Sequence, residues 1–161
     1  MNADAFRHFY GYHFWMNRRI WDEYISQLTD AQFTQPLGYS HGSIRDQILH
    51  LIECDNAWFG DLSGNGIPYE DDPSQSANRE ALAAFRDQVE QMVRAYLATL
   101  RDDMVMTKPL QGEDAGLYLY QVLLHVVNHG TDHRAQILRQ LNDLGVPTEW
   151  QDYIFYSYGP Q

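Results

Sequence analysis

Residues 117–143, LYLYQVLLHVVNHGTDHRAQILRQLND, decide the fold. Small or apolar residues recur at Leu119, Val122, Val126, Gly130, Ile137 and Leu141, the spacing of a helix with one buried face. Gly145 and Pro147 follow, a glycine and then a proline just past the last turn, as at a helix stop. Working outward, three more stretches carry the same period. Residues 3–28 place Phe6, Phe9, Tyr10, His13, Ile20, Tyr24 and Leu28 at helical intervals. Residues 44–62 follow Ser43, a good N-cap. Residues 77–101 carry the stripe Leu82, Phe85, Val89, Met92, Tyr96 and Leu100. Segments bearing Pro36, Gly38 and Gly42, then two Gly and two Pro across SGNGIPYEDDPSQS, separate them as loops. No segment alternates as a strand would, and no internal repeat is present. The prediction is an all-α, antiparallel four-helix bundle, with residues 1–161 forming a single domain. The aromatic tail EWQDYIFYSYGP is expected to pack back on it.

Composition narrows the function. Acidic residues number 22 against 11 basic, a formal charge of −11, which argues against a nucleic-acid partner and gives no attraction to anionic lipid. No apolar run reaches membrane-spanning length, and MNADAFRHFYGYHFW lacks the basic start and continuous apolar core of a secretory signal. The single cysteine, Cys54, lies on a helix pattern and reads as a small buried hydrophobe; with no intramolecular disulfide available, a cytoplasmic location is expected.

Within the first stretch, His125, His129 and His133 recur every four residues and stand in a row on one helix face. At 1.5 Å rise per residue the outer two are roughly 12 Å apart, too far to share an ion. The helical wheel puts His133 at the edge of the apolar stripe, His129 beside it and His125 further out, so His129 and His133 are the inner pair. A third imidazole is available in ILHLIECDNAWF, where His50 flanks the apolar stripe of the second helix. Three neutral imidazoles on two helices would hold a divalent ion and leave part of it open. The same wheel puts Asp55 inside the apolar stripe, where a carboxylate needs a partner; an ion pair with Arg134 is expected, with a role in orienting a ligand as the alternative. Glu53 points toward solvent. Asp55 and Glu53 are the acids near enough to serve metal-assisted hydrolysis. A di-iron carboxylate site is excluded, because the chain has no Glu-x-x-His.

Taken together, YGYHFWMNRRIW, GSIRDQILHLIECDNAWF, HVVNHGTDHRAQI and LGVPTEWQDYIFY make the chain resemble the DinB family of the DinB/YfiT-like superfamily over nearly its whole length. The resemblance implies a DinB/YfiT-type four-helix bundle in which His50, His129 and His133 hold a divalent metal, Zn, Ni or Fe. It also implies a reaction class: several relatives are transferases or isomerases that use a low-molecular-weight thiol such as bacillithiol, mycothiol or glutathione. The expected function is therefore metal-dependent S-transfer to electrophilic small molecules, with a metal-dependent hydrolase or a non-enzymatic, stress-related metal-binding protein as alternatives. His13 stands where such sequences often have asparagine, and His8 and His41 read as surface residues. A second apolar row on the fourth helix, Tyr120, Leu124, Val127 and Leu138, would serve either packing within the bundle or a homodimer seam, which the resemblance favours.

Overall fold

The computed structural model describes residues 1–72 and 78–159. Residues 77 and 160, assigned above to the third helix and the tail, lie outside the described residues. Among the described residues there are six α-helices and no strand: α1 Ala3–Glu23, α2 Asp30–Thr34, α3 Ile44–Ser63, α4 Arg79–Thr99, α5 Leu119–Asp143 and α6 Tyr153–Ser157. The four long helices fall on the four predicted stretches. None of the helices is long and apolar enough to cross a membrane.

The first helix ends earlier than its apolar period suggests. Tyr24 leaves helical geometry and a 3₁₀ turn, Ile25–Gln27, follows. Ile25 and Leu28 stay buried across the break, so the apolar pattern runs on after the helix has stopped. Short α2 lies in a segment read as loop. Its signal is local: Thr29 caps the Gln32 amide, Gln32 answers the Thr29 amide, and Phe33 anchors the turn in the core.

Contacts between helices fix their directions. Tyr10 donates to the Leu123 carbonyl (3.0 Å) and, further along both chains, Arg134 donates to Asn17 (2.9 Å), so α1 and α5 run parallel. Gln47 reaches Gln136, His50 reaches His129 and Trp58 meets His125, so α3 runs against α5. Arg7 donates to the Leu97 and Leu100 carbonyls while Arg18 pairs with Glu90, so α4 runs against α1. Then α3 and α4 are parallel, as the contact of Phe59 with Tyr96 requires when Ile52 shares a small cavity with Arg86 and Val89. The antiparallel relation thus holds between two parallel pairs. Since α3 packs on α4 and α5, and α1 on those same two, consecutive helices α1 and α3 are diagonal across the core. A parallel α3 and α4 also need a connection that returns the length of a helix, about 30 Å for twenty residues, which accounts for the length of chain between Ser63 and Arg79.

The tail closes one flank. Tyr12 donates to the Gln151 carbonyl, Tyr153 sets its edge on Phe9 and Tyr12, and Tyr156 lies against His8 and Trp15.

Candidate metal centre

The centre is built where α3 begins and α5 passes its midpoint. Ser43 caps α3 in a box with Asp46, accepting from the Asp46 amide at 3.1 Å, and this fixes the first turn. One turn on, Gln47 and then His50 face α5. From α5 come His129 and His133, one above the other, their ring centroids 4.3 Å apart. The His50 ring lies 5.0 Å from that of His129 and 4.7 Å from that of His133. The three rings are therefore neighbours at the α3–α5 interface, but among the described residues the three nitrogens that cluster within 4.8 Å of one another are those of His41, His50 and His133, and His129 joins them through His50.

The nitrogen atoms carry more information than the rings. Nε2 of His50 and Nε2 of His129 are 3.1 Å apart. Two lone pairs at that distance repel unless a proton or a cation lies between them. Ligands at about 2.0–2.1 Å from one ion, at right or tetrahedral angles, would stand roughly 2.9–3.4 Å from each other. His129 Nδ1 is buried without a partner, so hydrogen bonding within the protein leaves this ring incompletely satisfied.

His133 is oriented by a chain of amides. Gln136 donates its Nε2 to Asp132 (3.0 Å) and accepts from Gln47 Nε2 at 3.1 Å. That leaves Gln47 Oε1 as an acceptor, 2.9 Å from His133 Nδ1. The ring must donate there, so its proton is on Nδ1 and its Nε2 lone pair is free. Burial, reinforced by neighbouring imidazoles, lowers the pKa of His50 to about 4 and that of His129 to about 4. Burial also lowers His133, with His41 acting in the same direction. All three are neutral at pH 7, the form that ligates.

A fourth ring was not expected here. His41, from the loop before α3, is exposed but stacks on His50 with centroids 3.7 Å apart and planes 20° apart. Nitrogens of His41, His50 and His133 all lie within 4.8 Å of one another. Helical periodicity carries no signal for a loop residue, and the only clue was its closeness in sequence to the Ser43 cap. His125 is exposed, edge-on to Trp58, with its ring 5.7 Å from His129. His8 sits against Tyr153 and Tyr156.

The expected Asp55–Arg134 pair is replaced by a three-membered chain. Arg134, buried to 1% exposure, donates NH1 to Nδ1 of His13 at 3.1 Å; His13 Nε2 donates to Asp55 Oδ2 at 2.9 Å. A guanidinium can only donate, so Nδ1 accepts and the His13 proton is on Nε2. The imidazole thus separates the two charges; helical spacing already put His13 on the buried stripe, where it is 0% exposed, but did not show that it would lie between Asp55 and Arg134. Arg134 also donates to Asn17, Thr131 and Gln151, which ties the tail to the core. Gly130 leaves the room: a Cβ there would lie 2.4 Å from His13 Cε1. Asp55 Oδ1 is buried without a partner, and its charge opposes the lowering of the His129 pKa. Glu53 is exposed, with its pKa raised by burial and by Asp71. Cys54 is half-buried and burial pushes its thiol up to about 12, which makes it unreactive.

A groove of about 800 Å³ runs between α1, α5 and the tail, lined by Phe9, Tyr12, Leu124, His125, Asn128 and Tyr153 among others; of the histidines in the row on α5 it reaches His125. Of the second apolar row on α5, Val127 is fully buried, which assigns it to packing within the bundle; Tyr120 and Leu138 are half-buried against the core, and Leu124 is 37% exposed.

The model of the DinB family matches residues 1–161. Protein DinB of Bacillus subtilis (strain 168) is similar at 26% identity over 98% of this chain and 97% of its own length.

Proposed function

The chain belongs to the DinB family, and on that premise we propose that it is a metal-dependent S-transferase whose divalent ion is held by His50, His129 and His133. The observation that carries the reading is the approach of the His50 and His129 Nε2 atoms to 3.1 Å, a spacing that one bridging proton or one shared cation would satisfy, beside a third ring whose partner Gln47 leaves its Nε2 free. Three neutral imidazoles suit Zn, Ni or Fe. When bound, such an ion supplies a thiolate at neutral pH by stabilising the deprotonated sulfur of a low-molecular-weight thiol.

The chain's own residues do the rest. Gln47 holds His133 in one tautomer, and the Asp132–Gln136–Gln47 relay keeps that amide from flipping. The aromatic groove between α1, α5 and the tail would take an apolar electrophile, and His125 on its lining, 5.7 Å from the His129 ring, is its link to the centre. Transfer is preferred to hydrolysis because Glu53 faces solvent and Asp55 is tied through Oδ2 to the His13–Arg134 chain; its buried, unpartnered Oδ1 is the one acid oxygen that a hydrolytic reading could use. The same reading takes the chain as one cytoplasmic domain that pairs with a second copy; light scattering after size exclusion tests the pairing, and a monomer rejects it.

The decisive assay loads the protein with Zn²⁺ or Ni²⁺ and follows conjugation of bacillithiol, mycothiol or glutathione to a panel of electrophiles. Conjugation above the uncatalysed rate that vanishes in His50→Ala supports the proposal. Metal-loaded protein that conjugates none of the three rejects it.

A further inference from the structure

The geometry points to His41 as a fourth, loop-borne donor that closes the centre at rest and must leave when an exogenous ligand binds. This rests on the metal reading above and adds to it a displaceable cover.

Three observations converge on His41. Its ring lies flat on His50, 3.7 Å between centroids, and 5.4 Å from His133. One of its nitrogens falls within 4.8 Å of a nitrogen of each of those rings. Two donors on opposite sides of one ion stand at most about 4.2 Å apart, so a side-chain rotation separates the stacked pose from a ligating one. An exposed imidazole has water available for both nitrogens, so hydrogen-bonding need does not bring it onto the other histidines.

The loop is built to present it. Leu37 donates to the Gly42 carbonyl (3.0 Å) and Gly42 to the Tyr39 carbonyl (3.1 Å), making a tight turn with Ser40 in the left-handed region at φ 52°. Gln140 of α5 donates to the Gly42 carbonyl at 3.2 Å, and Ser43 is locked in its capping box. The base of the turn is therefore tied to both helices that carry the other histidines, while Tyr39, Ser40 and His41 stay exposed. Tying the base keeps His41 within reach; exposure lets it swing off.

The chemistry gives this consequence. Zinc sites with four protein ligands are structural, and those with three keep a position for substrate. A fourth imidazole on a loop lets one centre alternate between the two. A thiolate, the softer and charged donor, displaces a neutral imidazole; one metal–nitrogen bond is exchanged for one metal–sulfur bond and the thiol proton passes to solvent.

Co²⁺ is the probe. Apo wild type, His41→Ala and His50→Ala are titrated with Co²⁺ and followed by calorimetry and visible absorption, with circular dichroism confirming that each is folded. The inference expects His41→Ala to bind Co²⁺ at least about tenfold more weakly, with an altered ligand-field spectrum that free imidazole restores. It also expects 2-mercaptoethanol to bind the Co²⁺-loaded His41→Ala protein more tightly than the loaded wild type. If His41→Ala matches wild type in affinity, spectrum and thiol binding, His41 is not a donor and the three-histidine reading stands. If wild type takes up no Co²⁺, or His50→Ala takes it up equally well, the metal reading itself fails and this inference with it.

Discussion

Two groups of histidines lie within a few turns of each other and behave oppositely. Around His13 every ring nitrogen has a partner of fitting sign: a guanidinium donates to one side and a carboxylate accepts on the other. Around His50 and His129 the nitrogens face each other, and one more is buried with no partner. The His13 ring is satisfied without a ligand, although Asp55 Oδ1 beside it is buried without a partner. The second group leaves His129 Nδ1 unsatisfied, and its two facing nitrogens suit a shared proton or a cation. Residue type is the same in both; what separates a structural histidine from a candidate ligand is whether the fold already supplies its partners.

The comparison breaks first if the core chain can be cut cheaply. Arg134→Met removes the cation from a buried chain and leaves Asp55 uncompensated, so a loss of about 3–5 kcal/mol in urea unfolding is expected. Gly130→Ala, which drives a Cβ into His13, should cost about 1–3 kcal/mol. If both variants unfold like wild type, the core histidine is not structurally committed.

The metal cluster should respond the other way. His129→Ala or His133→Ala is expected to weaken Zn²⁺ binding by more than about 100-fold, while apo stability changes by less than about 1 kcal/mol in His129→Ala and by more in His133→Ala, which strips buried Gln47 of its partner. Calorimetry with a competing chelator, paired with denaturation of the apo forms, measures both. Gln47→Leu should give a smaller effect, about 10–100-fold in affinity, because the ring stays but loses its orienting acceptor.

The smallest effect is in pH. His50 and His129 titrate near 4 in the folded protein, below the ordinary 6.5. Between those values the unfolded chain binds more protons, so apo stability rises with pH across this window. It is fully present above about 6.5 and is lost as pH falls toward 4. Thermal unfolding of apo protein from pH 7 to 4 should show this slope, and His50→Gln should flatten it. An unchanged slope in that variant would place the acid sensitivity elsewhere.

Much of this was legible in the residues alone. The four long helices, the Ser43 cap, the Gly145 stop at φ 79° and the row of histidines follow from spacing and local chemistry, which act within a few turns of one chain. Periodicity reports which face of a helix is buried. It is silent on which helix covers that face and in which direction that helix runs. So the parallel pairing of α1 with α5, the insertion of His13 between Asp55 and Arg134, and the stacking of loop-borne His41 on His50 were settled only when distant segments packed. Local rules choose each element because their energies are local; partners across the core are chosen by packing, where a missing side chain such as that of Gly130 decides which ring fits.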